Sequence, residues 1–172
     1  VLITRGNNVY GPNQYPEKVI PKFILRLLRG QTCCLHGDGG TVRNYVHVKD
    51  VARAFDVVLH KGKVDEIYNI GTEFEISIND LAKRIIELIG LTPTEKYMEY
   101  VADRNINDKR YAIDVGKLAK LGWTPEIDFE RGIRDTIEWY RNLAPDHWDD
   151  VESSLRPHPV IAAGKDKPTE TE

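Results

Sequence analysis

Short apolar, β-branched runs alternate along this chain with stretches whose apolar residues recur at helical spacing, and that alternation predicts an α/β fold. Val19, Ile20, Phe23, Ile24, Leu27 and Leu28 form a helical stripe, with Pro21 tolerated in the first turn and Gly30 as the stop. Val51, Ala54, Phe55, Val58 and Leu59 form a second stripe, ended by Gly62. A third helix is capped by Ser77, with Asp80 three residues on, Ile76 and Leu81 as a hydrophobic staple, and Gly90 closing it. A fourth starts at Asp128 and buries Phe129, Ile133, Ile137 and Tyr140. Between these, Cys33–His36, residues 43–48, residues 66–70 and residues 97–101 are expected strands, and the chain opens on Val1-Leu2-Ile3-Thr4 as a strand already under way. That opening, with neither a starting Met nor a basic signal region, suggests a fragment of a longer protein.

Composition narrows the possible functions. A chain of 172 residues suits one domain, and 41% hydrophobic with 30% charged residues is incompatible with a wholly disordered chain. No apolar run approaches the ~18 residues of a membrane span. A net charge of −3 argues against a nucleic-acid partner. Cys33 and Cys34 are neighbours, which excludes a disulfide framework and suggests a reducing, cytoplasmic setting. From Asn142 onward seven acids face three bases, leaving an almost neutral body. Residues 1–145 are therefore read as the folded part. Residues 146–160 are read as a tail docked through Trp148, Val151 and Leu155, and residues 161–172 as disordered.

Few motifs carry chemistry by themselves. Gly37-Asp38-Gly39-Gly40 lacks the third glycine of a dinucleotide fingerprint and reads as a tight turn between strands. Tyr45 and Lys49 match the Tyr-x-x-x-Lys acid–base pair, but that pair needs a helix to share a face, and Tyr45 sits in a strand-like run. His36, His47, His60, His147 and His158 are scattered without metal-ligand spacing. Arg43, Arg104 and Arg110 sit at strand ends or in the polar loop from Asp103 to Arg110. They are either solvated surface residues or forks for phosphate oxygens.

Several ordered segments carry a resemblance. They are Asn8-Val9-Tyr10-Gly11-Pro12, Tyr15-Pro16-Glu17-Lys18-Val19-Ile20-Pro21, Arg43-Asn44-Tyr45-Val46-His47-Val48-Lys49-Asp50, Tyr68-Asn69-Ile70-Gly71, Asp103-Arg104 and Leu121-Gly122-Trp123-Thr124-Pro125. Together they resemble the extended short-chain dehydrogenase/reductases that act on nucleotide sugars, most of all the dTDP-glucose 4,6-dehydratase branch, with Cys33-Cys34-Leu35-His36-Gly37 in support. The resemblance implies the C-terminal portion of a Rossmann-like enzyme, mainly its smaller substrate-binding domain. The Gly-rich NAD motif and the catalytic Tyr-x-x-x-Lys helix would lie outside these residues. In such enzymes bound NAD oxidises the sugar at C4, water leaves across C5 and C6, and the hydride returns to C6. The resemblance assigns no catalytic residue and no metal to this chain. It places Asn8 beside NAD and the sugar diphosphate, and Lys18 and Val19 at the start of a lid helix. Cys34, Leu35 and His36 would lie around the base, Arg43 and Arg104 on the diphosphate, and Asn107 in the substrate site, with Ile78 or Asn79 near a further substrate position. It also implies a homodimeric parent. A UDP-sugar 4,6-dehydratase, a UDP-sugar 4-epimerase or a non-catalytic nucleotide-sugar-binding module are the alternatives, and the fragment alone is expected to be inactive.

Overall fold

The structure is a computed structural model that describes residues 1–102, 113–144 and 146–156. Among the described residues seven strands and six α-helices follow in the order β1 (Ile3–Gly6), β2 (Asn8–Tyr10), α1 (Val19–Leu28), β3 (Cys33–His36), β4 (Val42–His47), α2 (Val48–Lys61), β5 (Ile67–Ile70), β6 (Glu75–Ser77), α3 (Ile78–Ile89), β7 (Met98–Val101), α4 (Gly116–Ala119), α5 (Phe129–Arg141) and α6 (Val151–Leu155). Three pairings are parallel: β1 with β5, β2 with β4, and β3 with β7. Among the described residues β6 alone runs antiparallel, on the other edge of β4. The fold is the α/β, Rossmann-like architecture expected from the sequence.

Local signals explain most helix ends. The Ser77 hydroxyl accepts from the Asp80 N–H at 3.0 Å, and the Asp128 carboxylate accepts from the Arg131 N–H at 3.0 Å. Gly90 ends α3 in the left-handed conformation at φ 91°. Gly62 is different. Its φ is −69°, and glycine is needed there because a Cβ would lie 2.4 Å from the Val58 carbonyl oxygen. The strand expected over residues 43–48 runs from Val42 to His47, and Val48 instead opens α2, which His47 caps with Nδ1 accepting from the Lys49 N–H.

Strand β4 divides two cores because neighbouring side chains on a strand point to opposite faces. Tyr45 enters a core built by α1, α3, α5 and β3, whereas Val46 enters a second one built by α2, β5, Leu118 and Trp123. In α2 the buried face is Val51, Ala54 and Val58. Phe55 and Leu59, expected on the same stripe, are exposed on its flank. Gly132 of α5 has no room for a side chain, since a Cβ there would sit 2.1 Å from the Tyr10 hydroxyl.

Asp50 is the main polar tie between α2 and the loop before α5. Its carboxylate is buried and accepts from the Glu126 N–H at 3.1 Å, the Ile127 N–H at 3.0 Å and Arg53 Nη2 at 2.9 Å. Its backbone carbonyl accepts from Trp123 Nε1. Asp50→Ala would leave two backbone N–H groups without acceptors and remove one of the three acceptors of Arg53, the others being the Glu126 carboxylate and the Thr124 carbonyl. It is expected to lower unfolding free energy by about 3 kcal/mol in equilibrium urea denaturation. A loss under about 0.5 kcal/mol would show that this tie does not hold the loop.

The end of the described chain folds back onto α1. Leu155 is buried in the first core, and its carbonyl accepts from Arg26 Nη1 at 2.8 Å. Tyr15 and Trp148 meet edge to face with centroids 5.4 Å apart. The tail from 161 to 172, expected to be disordered, lies outside the described residues.

Candidate functional site

A cavity of about 660 Å³ opens between α1 and the strands β2, β3 and β4. That size falls within the ~300–1,000 Å³ of small-molecule sites. Each wall follows from a local periodicity. On β3, Cys34 and His36 are two residues apart and share the cavity face. On β4, Arg43 and Tyr45 do the same. Lys18, the N-cap of α1, precedes Lys22 by four residues, Val19 and Phe23 are one turn apart on α1, and all four line the cavity. Asn8 of β2 stands next to Tyr45 in register.

The structure thus brings together Asn8, Lys18, Val19, Cys34, His36 and Arg43 from the set expected by resemblance. Leu35 is a correction. It lies between Cys34 and His36 on the opposite face of β3, fully buried in the core, and its side chain does not line the cavity. Arg104 and Asn107, with Arg110 and the whole loop from Asp103, lie outside the described residues. Of the two candidates at the start of α3, Ile78 lines the cavity. Asn79 holds the Gly37–Gly40 turn instead, its Nδ2 donating to the Asp38 carbonyl and its backbone N–H to that of Gly39. The turn itself closes by a bond from the Gly39 N–H to the His36 carbonyl, with φ of 68° at Gly39.

Gln14, Lys22 and Thr41 line the cavity without having been singled out in the sequence, and Phe23, expected there only as part of a helical stripe, lines it too. Gln14 is held there by a 2.7 Å bond from Nε2 to the Val9 carbonyl. A lysine four residues after Lys18, on a helix whose neighbouring positions are apolar, was the available signal for Lys22.

Lys18, Lys22 and Arg43 bring three cations to the cavity, against the single carboxylate of Glu17. Lys18 pairs with Glu17 at 2.6 Å. Arg43 Nη1 donates to the Val42 carbonyl at 2.8 Å, which ties the guanidinium to its own strand. His36 Nδ1 is 3.1 Å from the Ala102 carbonyl. Asn8 Nδ2 donates to the Asn44 carbonyl at 3.2 Å. Burial raises the Cys34 thiol above its ordinary pKa, and it pushes neighbouring Cys33 up to about 12, so neither is a ready nucleophile at neutral pH. Burial also lowers the Lys22 ammonium and raises the Tyr45 phenol. Among the described residues no group of three His, Cys, Asp or Glu side chains could hold a metal ion, and no helix is long and apolar enough to cross a membrane. A cationic, half-apolar cavity of this kind can hold an anionic ligand with a flat, weakly polar end.

The NAD dependent epimerase/dehydratase family matches residues 1–71. Human dTDP-D-glucose 4,6-dehydratase is 52% identical over 164 residues, which cover 93% of this chain and 47% of the human protein. The trifunctional UDP-glucose 4,6-dehydratase/UDP-4-keto-6-deoxy-D-glucose 3,5-epimerase/UDP-4-keto-L-rhamnose-reductase of Arabidopsis thaliana is 52% identical over 159 residues, covering 92% of this chain and 24% of the plant protein. The dTDP-glucose 4,6-dehydratase of Streptomyces venezuelae, solved with NAD bound, superposes with a TM-score of 0.79 at 42% identity, covering 82% of this chain and 44% of the bacterial one. The chain therefore spans less than half the length of each of these relatives.

Proposed function

Since the chain belongs to the NAD dependent epimerase/dehydratase family, we propose that its cavity binds a nucleoside diphosphate sugar, as the substrate-binding part of a dTDP-glucose 4,6-dehydratase. The observation that carries this reading is the meeting of Asn8, Lys18, Cys34, His36 and Arg43, from four separate elements, on one cation-rich cavity. In this reading Arg43 and Lys18 neutralise the diphosphate, for which a guanidinium fork is the better-shaped partner. Cys34 and His36 flank the base, whose flat face suits the imidazole ring, and Val19 covers the ligand from α1. Asn8 stands beside the sugar diphosphate. Arg104 and Asn107 complete the site.

NAD fits these residues only at its edge, at Asn8. No Gly-rich strand-to-helix turn able to cradle the cofactor diphosphate occurs in the sequence. We therefore assign the chain binding and orientation of the sugar nucleotide, and no chemical step. In this reading the Gly-rich motif and the Tyr-x-x-x-Lys helix lie elsewhere in the whole enzyme, which the coding sequence on both sides of this stretch tests directly. The buried free thiols of Cys33 and Cys34 are in keeping with a reducing, cytoplasmic setting. The homodimeric state rests on the resemblance alone.

A second reading, a UDP-sugar dehydratase or epimerase, is favoured by the equal identity of the Arabidopsis relative. Equilibrium dialysis of the full-length enzyme with labelled dTDP-glucose separates the two. dTDP is expected to displace the label and glucose 1-phosphate to do so at least tenfold less well, because the base and both phosphates are bound. Displacement by UDP at lower concentration than dTDP would transfer the assignment to a UDP-sugar. Displacement by glucose 1-phosphate alone would contradict both readings.

A further inference from the structure

Lys22 is an unusual residue for a cavity wall. It is 7% exposed, yet its ammonium carries three N–H donors. Among the described residues the only acceptor it reaches is the backbone carbonyl of Arg156, beyond α6. The remaining donors are left for the cavity that Lys22 lines, where a ligand acceptor can meet them. Arg26, one turn further along α1, already takes the neighbouring carbonyls of Thr32 and Leu155. Lys22 lines the same cavity as Cys34, and the Cys34 thiol is the ionisable neighbour that acts on it most strongly; the chief cause of its lowered pKa is burial. Helix α1 packs against β3, the strand that carries Cys34 and His36.

We infer that Lys22 donates a hydrogen bond to a carbonyl oxygen of the ligand's pyrimidine base and thereby selects the base. The inference rests on the nucleotide-sugar reading above, which puts the base against Cys34 and His36. Thymine and uracil both present carbonyl acceptors at O2 and O4, whereas adenine accepts only at ring nitrogens, which stand at other positions. An ammonium held in place by the Arg156 carbonyl therefore suits either pyrimidine and disfavours adenine, whose acceptor nitrogens do not fall where a pyrimidine carbonyl does.

Titration calorimetry of the full-length holoenzyme tests this with thymidine, dTDP and the 2-thio and 4-thio analogues of dTDP, in which sulfur is the poorer acceptor. In the unaltered enzyme one of the two thio analogues is expected to bind several-fold more weakly than dTDP. Lys22→Met is expected to weaken thymidine and dTDP alike, by about 10- to 100-fold, and to abolish the difference between dTDP and that analogue. Three results would overturn the inference. Thio analogues that bind the unaltered enzyme as tightly as dTDP would do so whether or not the variant folds. A thio penalty that persists in Lys22→Met would assign Lys22 to holding Arg156 instead. Loss for dTDP with none for thymidine would assign it to the phosphates. The nucleotide-sugar reading survives any of these if Arg43→Met still loses dTDP, and falls only if dTDP does not bind at all.

Discussion

The isolated 172-residue chain is expected to form no 4-keto sugar from dTDP-glucose at any concentration of NAD. Oxidation at C4 needs a held nicotinamide and a base at the sugar hydroxyl, and the chain has neither a Gly-rich cofactor turn nor a helical Tyr-x-x-x-Lys pair. Its one Tyr-x-x-x-Lys match is excluded by geometry. Tyr45 lies in β4 and Lys49 in α2, so the helical face that would join them does not exist. The Tyr45 ring sits in the core against Tyr10 and Phe129, 4% exposed, where burial holds the phenol protonated. Chromatography of the reaction mixture against a blank lacking the chain checks this, and any turnover above the blank contradicts it.

Arg43→Met in the full-length enzyme is expected to raise the dissociation constants of dTDP and dTDP-glucose by about 10- to 100-fold, from the roughly 1.5–3 kcal/mol of a charge-assisted hydrogen bond. Thymidine, which lacks the phosphates, should be affected much less. Arg43 begins on the cavity face of β4, and methionine keeps much of its length and apolar stem, so the change removes charge more than volume. A fold-supporting role for Arg43 predicts a lower melting temperature with all three ligands weakened together. Equal losses for thymidine and dTDP in titration calorimetry would sink the diphosphate role.

How much of this was legible in the sequence depended on whether the cause was local. The caps Ser77 and Asp128 and the left-handed Gly90 act on adjacent backbone, and α3 and α5 were readable from them. The stripe of α2 was readable too, but not that Phe55 and Leu59 fall on its exposed flank, since that depends on what packs opposite. Strands β2 and β6 are three residues each and carry no alternating pattern; only their pairing with β4 makes them strands. The short helix α6 is fixed by long-range bonds from Arg26 and Lys22, which no neighbouring residue announces.

The candidate site divides in the same way. Asn8, Lys18, Val19, Cys34, His36 and Arg43 were reachable because their segments resemble a family in order. The strand period alone would have removed Leu35 from that set, since Cys34 and His36 cannot share a face with the residue between them. Lys22 is legible only as a charge on an apolar stripe, and its burial depends on the chain returning from residue 156.

The central claim is that this cavity holds a nucleoside diphosphate with its phosphates at Arg43 and its base at Cys34 and His36. The most direct test is a crystal structure of the full-length enzyme with dTDP bound. The account predicts diphosphate oxygens within about 3.2 Å of the Arg43 guanidinium and the thymine ring against His36. Nucleotide bound elsewhere, or lying in this cavity with its phosphates away from Arg43, would contradict it.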